Sequence, residues 1–166
     1  ELLQILSGAA LKFGNKLVLS STSQVPQFVL GDKTRLRQIF SNLLGNAIKY
    51  SENSQITLEV AQLTGPDSEG RIEFKVIDHG IGISEQDIPH IFEDFYTVHN
   101  SLTRKSEGTG LGLGITKRLV NKMGGEIGVT STLGSGSVFW IRLSLPNVTA
   151  PGALDSPVPS KTASVK

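Results

Sequence analysis

The chain has 166 residues, 38% hydrophobic and 19% charged, which suits one compact domain with a single core and is too short for two. Sixteen Lys and Arg against fifteen Asp and Glu leave a formal charge of +1, so no broad electrostatic attraction draws it to nucleic acid or to an anionic membrane. Zero cysteines exclude disulfides, a thiol nucleophile and Cys-ligated metal centres, and no apolar run reaches the roughly 18 to 20 residues that span a bilayer. The opening Glu1-Leu2, with neither a start methionine nor a basic region, reads as that of a piece of something longer.

Apolar residues at Leu2, Leu3, Leu6, Ala9, Ala10 and Phe13 predict an amphipathic helix over 2–13, and 16–21 reads as a short strand. Asp32 is an N-cap for a helix from Lys33 to about Tyr50, whose buried face is Leu36, Ile39, Phe40, Leu43, Leu44, Ala47 and Ile48. Residues 55–63 and 71–78 are β-rich and separated by Gly65-Pro66-Asp67, the pattern of neighbouring antiparallel strands. A helix from about Gly110 to Met123 places Leu111, Ile115, Leu119 and Met123 on one stripe and stops at Gly124-Gly125. Strands over 126–131 and 137–145 follow, broken by Leu133-Gly134-Ser135-Gly136. Residues 146–166 hold four of the seven prolines and no aromatic residue, so they read as a flexible linker. The fold class expected is α/β: a two-layer sandwich in which a mixed, mostly antiparallel sheet is covered on one face by about three helices.

Most of the eighteen glycines fall between residues 80 and 136. Gly108-Thr109-Gly110-Leu111-Gly112-Leu113-Gly114 opens a helix, where glycines let main-chain amides approach a phosphate and the helix terminus adds partial positive charge. The dinucleotide pattern G-x-G-x-x-G fails in both registers, at Leu113 and at Ile115, and no Gly-Lys pair exists for a Walker loop. A tight turn with no ligand remains the other reading. Val76-Ile77-Asp78-His79-Gly80-Ile81-Gly82-Ile83 runs from a strand into a Gly-x-Gly turn. The Asp78 carboxylate at the strand end can accept a hydrogen bond from an exocyclic amine, and Gly80 and Gly82 let a flat ring such as adenine lie on the main chain. It can equally cap its own turn. On the long helix Gln38, Asn42, Asn46 and Lys49 line a stripe beside the buried face. Magnesium on a triphosphate accepts few protein ligands, so an Asn carbonyl suffices for it. Lys49 can then neutralise phosphate and Tyr50 can pack on a base. Bonding across to a neighbouring loop is the alternative for these amides.

The segments Gln38–Tyr50, Asp78–Ile83, Ile91-Phe92-Glu93-Asp94-Phe95-Tyr96 and Gly108–Leu113 together resemble, in order and spacing, the N, G1, F and G2 boxes of sensor histidine kinases. Those enzymes share a superfamily with DNA gyrase, the heat-shock chaperone ATPases and the mismatch-repair ATPases. The resemblance covers roughly residues 1–145, including Gly-Asp-Lys-Thr-Arg-Leu-Arg-Gln at 31–38 and Leu-Gly-Ser-Gly-Ser-Val-Phe at 133–139.

The resemblance implies ATP and Mg2+ as ligands, with Asp78 as acceptor for the adenine amine, Gly80, Gly82 and Ile83 at the base pocket, and Asn46 as the metal ligand. Asn42, Lys49 and Tyr50 would line the phosphate and base sides, and Gly108, Thr109, Gly110, Leu111, Gly112 and Leu113 the loop beside them. Residues 96–107 would form a mobile lid anchored by Phe95, with Arg104 and Lys105 as phosphate contacts or as solvated loop charges. Hydrolytic relatives carry a glutamate where Asn42 stands; an amide takes no proton at neutral pH, which favours transfer over hydrolysis. Gly45 and Gly114 depart from the residues common in the family. His79, His90 and His99 lack the context of a phosphoacceptor, so the implied partner is a histidine-bearing helical-hairpin dimerisation domain, with a receiver domain or response regulator beyond it. Neither nucleic acid nor direct membrane contact is expected, and ATP use places the domain in the cytoplasm, in a parent free to be membrane-anchored. A nucleotide-binding regulatory module that docks without transferring phosphate is the competing reading.

Overall fold

The computed structural model describes residues 1–22, 25–65, 70–98 and 109–148. Its elements run in the order α1 (Leu2–Lys12), β1 (Lys16–Ser21), α2 (Lys33–Tyr50), β2 (Gln55–Gln62), β3 (Arg71–Asp78), α3 (Gly112–Lys122), β4 (Glu126–Thr132) and β5 (Gly136–Ser144). Each expected helix and strand is present, with ends displaced by no more than two residues. The strands form one sheet in the order β1-β2-β3-β5-β4. β1 and β2 are parallel, a pairing that requires a crossover, and α2 supplies it. The other pairs are antiparallel.

The α2 helix begins where Asp32 accepts a hydrogen bond from the Arg35 amide at 3.0 Å, and it buries Ile39, Phe40, Leu43, Leu44, Ala47 and Ile48. Strand alternation sends Ile72, Phe74 and Val76 of β3 and Phe139, Ile141 and Leu143 of β5 toward the helices, where the Phe40 and Phe74 rings lie 4.9 Å apart. The opposite face carries a charged ladder instead. Glu73 pairs there with Lys75 at 3.1 Å and Arg142 at 2.8 Å, and the Arg142 guanidinium stacks 4.6 Å from the Trp140 ring. The architecture is therefore the expected α/β one, with helices on one face of a mixed sheet.

Two helices differ from the pattern read in the sequence. In α1 the inward residues are Leu2, Leu3, Leu6 and Ala10, whereas Ala9 and Phe13 are exposed, because the helix ends at Lys12 and Phe13 takes a non-helical φ of −104°. The α3 helix starts at Gly112, since Gly110 has φ +68° and cannot continue a helix. Its fully buried side chains are Thr116 and Val120; of the expected stripe, Leu119 and Met123 pack against the core, whereas Leu111 and Ile115 are not among the core-packing residues. A buried threonine is tolerated because Thr116 Oγ1 donates to the Gly112 carbonyl at 2.9 Å and accepts from Asn42 Nδ2 at 2.7 Å. Past Leu145, residues 146–148 pair with 28–30 through an antiparallel bridge at Val29 and Asn147. The remainder of the expected linker lies outside the described residues.

Candidate functional site

A cavity of about 310 Å³ opens between the C-terminal half of α2, the end of β3, the start of β5 and the N-terminus of α3. Its volume is at the lower end of small-molecule sites. Lining it are Asn42, Asn46, Lys49 and Tyr50 from α2, Asp78, Gly82 and Ile83 from the β3 turn, and Thr109, Gly110, Gly112 and Leu113 before and within α3. With Ile91 and Tyr96 of the 91–96 segment these three stretches line one cavity.

At one end sits Asp78, 7% exposed, whose Oδ1 accepts the Gly80 amide at 2.9 Å. It caps its turn, and a carboxylate's two oxygens leave acceptor capacity beyond that bond, so capping does not exclude a ligand. Burial pushes its carboxyl above the usual carboxylate range, and the Gly80 and Ser137 amides counter that in part. The turn is sewn in place: Ile81 donates to the Tyr50 carbonyl at 3.1 Å, Ile83 to Ser131 Oγ at 2.8 Å, and Gly134 to the Ile81 carbonyl at 2.7 Å.

The glycines of the turn serve packing as well as any ligand. Gly80 does not line the cavity; a Cβ there would meet the Tyr50 carbonyl oxygen at 2.1 Å. Gly82 does line it, at φ +67°, and a Cβ would meet the Thr132 carbonyl oxygen at 2.0 Å. Close approach to α2 and to the β4–β5 turn therefore explains both positions.

The two asparagines of α2 differ. Asn42 Nδ2 donates to the Gly112 carbonyl and to Thr116 Oγ1, so its donors are committed to α3. Asn46 makes no side-chain hydrogen bond among the described residues and faces the cavity with its amide free. Lys49 has no carboxylate partner among them either; its Nζ lies 5.2 Å from the Tyr50 ring. Opposite them, the N-terminus of α3 has no side-chain cap among the described residues and presents a partial positive charge.

Phe95 and Leu111 do not line the cavity, and the Phe95 side chain is 75% exposed with a backbone φ of +65°. Arg104, Lys105 and Gly108 lie outside the described residues, as does most of the expected lid. Reading the sequence missed Ala47, Ile91, Ser137 and Phe139 on the cavity wall, whereas Thr97 and Val98, also on it, belong to the expected lid. Ser137 arrives there because it pairs with Asp78 across β3 and β5, a register no local pattern reveals.

Residues 31–147 match the family of histidine kinase-, DNA gyrase B- and HSP90-like ATPases. The chain belongs to this family. It is 41% identical over 155 residues to the signal transduction histidine-protein kinase BarA of Escherichia coli K12, covering 92% of the chain and 17% of BarA. It is 44% identical over 146 residues to the sensor protein GacS of Pseudomonas syringae pv. syringae, covering 88% of the chain and 16% of GacS. The chain thus spans about a sixth of the length of these relatives. Among solved structures, full-length ShkA in complex with AMPPNP matches with a TM-score of 0.76 and 34% identity, over 90% of this chain and 29% of that one. The catalytic domain of the histidine kinase ThkA matches with a TM-score of 0.71 and 25% identity, over 86% of this chain and 87% of that one.

Family membership turns Gly45 and Gly114 into two different cases. At Gly45 nothing lies within 4 Å of a Cβ, so no packing demands glycine there. At Gly114 a Cβ would meet Asp94 Oδ1 at 2.3 Å, so the carboxylate of the F-box turn occupies the space a side chain would fill.

Proposed function

We propose that this ATPase-family domain holds Mg-ATP and presents its γ-phosphate to a histidine on a separate helical-hairpin domain, as the catalytic part of a sensor histidine kinase. The observation that carries this reading is one cavity with a buried carboxylate, Asp78, at one end and, at the other, Lys49, the α3 terminus and Asn46, whose amide has no partner among the described residues. A carboxylate suits the exocyclic amine of adenine, and cationic and dipolar groups suit phosphates. The histidine kinases BarA and GacS and the AMPPNP complex of ShkA support the same reading.

The donor set fits magnesium that arrives with the phosphates. No group of three or more His, Asp or Glu side chains able to hold a metal exists among the described residues, so a metal here would take one protein oxygen, that of Asn46. Bound in that way, Mg2+ supplies charge neutralisation for the phosphate chain. Asp78 selects and orients the base, Tyr50 packs beside it, and Lys49 offsets phosphate charge. Asn42 cannot take a proton from water, and its amide is tied to α3, which supports transfer over hydrolysis. The catalytic unit is residues 1–145, with 146–166 a linker whose first three residues are paired onto the domain, and it works in the cytoplasm where ATP is available. A receiver domain or response regulator would take the phosphoryl group onward from the hairpin histidine.

Calorimetric titration with AMPPNP and Mg2+, followed by mixing with the purified cognate hairpin domain and Mg-ATP, tests the proposal. The expected result is saturable binding and acid-labile phosphate on the hairpin histidine. Binding without transfer to a folded partner would replace it by a regulatory nucleotide-binding module, and steady phosphate release without a partner would indicate hydrolysis.

A further inference from the structure

We propose that Asp94 and Arg118 form a positioning pair that sets the phosphate end of the cavity by fixing the N-terminus of α3. The inference rests on the ATP-binding reading above. Arg118 Nη1 donates to both Asp94 carboxylate oxygens at 2.8 Å, joining the F-box turn to the second turn of α3. Gly114, one turn earlier on α3, is buried under that carboxylate and leaves it room, since a Cβ at 114 would stand 2.3 Å from Asp94 Oδ1. Aspartate at 94 and glycine at 114 therefore fit each other. Glycine inside a helix is otherwise unfavourable, and at 114, unlike at 45, the structure supplies a reason for it.

The neighbouring residue adds a second stitch. The Phe95 amide donates to the Gly110 carbonyl at 3.0 Å, with both residues left-handed at φ +65° and +68°. A left-handed phenylalanine persists only where its surroundings over-determine it. Between the two stitches lie Gly110, Gly112 and Leu113, which line the cavity. From the other side Asn42 holds the Gly112 carbonyl. The first turn of α3 is thus braced between α2 and the F-box turn, and its free amides are aimed by that bracing. The Arg118 and Asp94 side chains are 53% and 42% exposed, and an ion pair that open to water contributes little to folding stability. Its effect is geometric.

Affinities for Mg-ATP and for adenosine are to be measured by calorimetry on the wild-type chain, D94A, R118A, G114A and D94A/G114A, with a melting curve for each. D94A and R118A should melt near the wild type and bind ATP roughly fivefold more weakly, the size of a lost helix-terminus contribution, with adenosine affinity changed less than about twofold. G114A should lose the same affinity by displacing the carboxylate, and should lose nothing further in the D94A background. Equal losses for ATP and adenosine, no loss in either single variant, or additive effects of D94A and G114A would overturn the inference. A wild-type chain that bound neither ligand would overturn the ATP reading together with it.

Discussion

A carboxylate that is 7% exposed, as Asp78 is, costs stability whenever it is charged, and burial has lifted its pKa above the ordinary value of 3.8. A raised folded-state pKa means that its contribution is full below about pH 3.8 and is lost as pH rises through the folded value. Asp78→Asn, which keeps an acceptor for the Gly80 amide, should therefore melt higher than the wild type at pH 7, with the advantage disappearing below about pH 4; melting curves across pH check this. The same variant should bind AMPPNP about 10- to 100-fold more weakly, the size of a lost charge-assisted hydrogen bond, and unchanged affinity would contradict the base-acceptor role. Gly45→Ala offers a simpler case, because a Cβ there meets nothing within 4 Å. It should stabilise the chain by about 0.5 to 1 kcal/mol in urea titration. In the sequence Gly45 and Gly114 look alike as departures inside helices. Only the distance from residue 114 to a carboxylate twenty positions earlier separates them.

At the scale of the element, α2 was legible because its apolar residues recur at helical spacing and Asp32 caps it. The α3 stripe was right at Leu119 and Met123 and misplaced at Leu111 and Ile115, because the helix buries a threonine and a hydrophobic pattern is blind to a polar residue that finds partners inside. One partner, the Gly112 carbonyl, is a turn away on the same helix, but the other, Asn42, is seventy-odd positions distant and has no local signature. Removing it with Asn42→Ala should lower stability by about 1 to 2 kcal/mol in denaturant titration, since Thr116 Oγ1 and the Gly112 carbonyl both lose a donor. The candidate site was legible in three glycine- or amide-bearing segments and the aromatic stretch 91–96, yet Ser137 was not, because sheet register brought it beside Asp78.

Across the whole molecule the sheet separates two electrostatic regimes. On the helix side Asp78 is held protonation-prone, whereas on the open side Glu73, on the same strand, is also buried yet has its pKa lowered, because the hydrogen bonds and charges of Arg142 and Lys75 outweigh burial. A depressed folded-state pKa means that its contribution is present above the ordinary 4.5 and is lost as pH falls through the folded value. Glu73→Gln should therefore destabilise the chain at pH 7 and converge with the wild type in acid, a pH trend opposite in sign to that of Asp78→Asn, visible in paired melting curves. The fold class was inferred from element order and from the family resemblance; the strand order β1-β2-β3-β5-β4 is a product of long-range pairing that no single segment encodes.

The bridge between residues 28–30 and 146–148 bears on what can be attached to this domain. Leu30 donates to the Pro146 carbonyl at 2.9 Å and Val148 to the Phe28 carbonyl at 3.1 Å, pinning the departing chain beside the beginning of α2. An 18-residue helix is about 27 Å long, and the cavity flanks its far half. Anything fused after Val148 is therefore moored at the hilt while the cavity opens toward the tip, so cargo can be exchanged at that point without crowding the cavity. Trimming into Pro146 instead would strip the seam over Leu145 and unfasten the mooring.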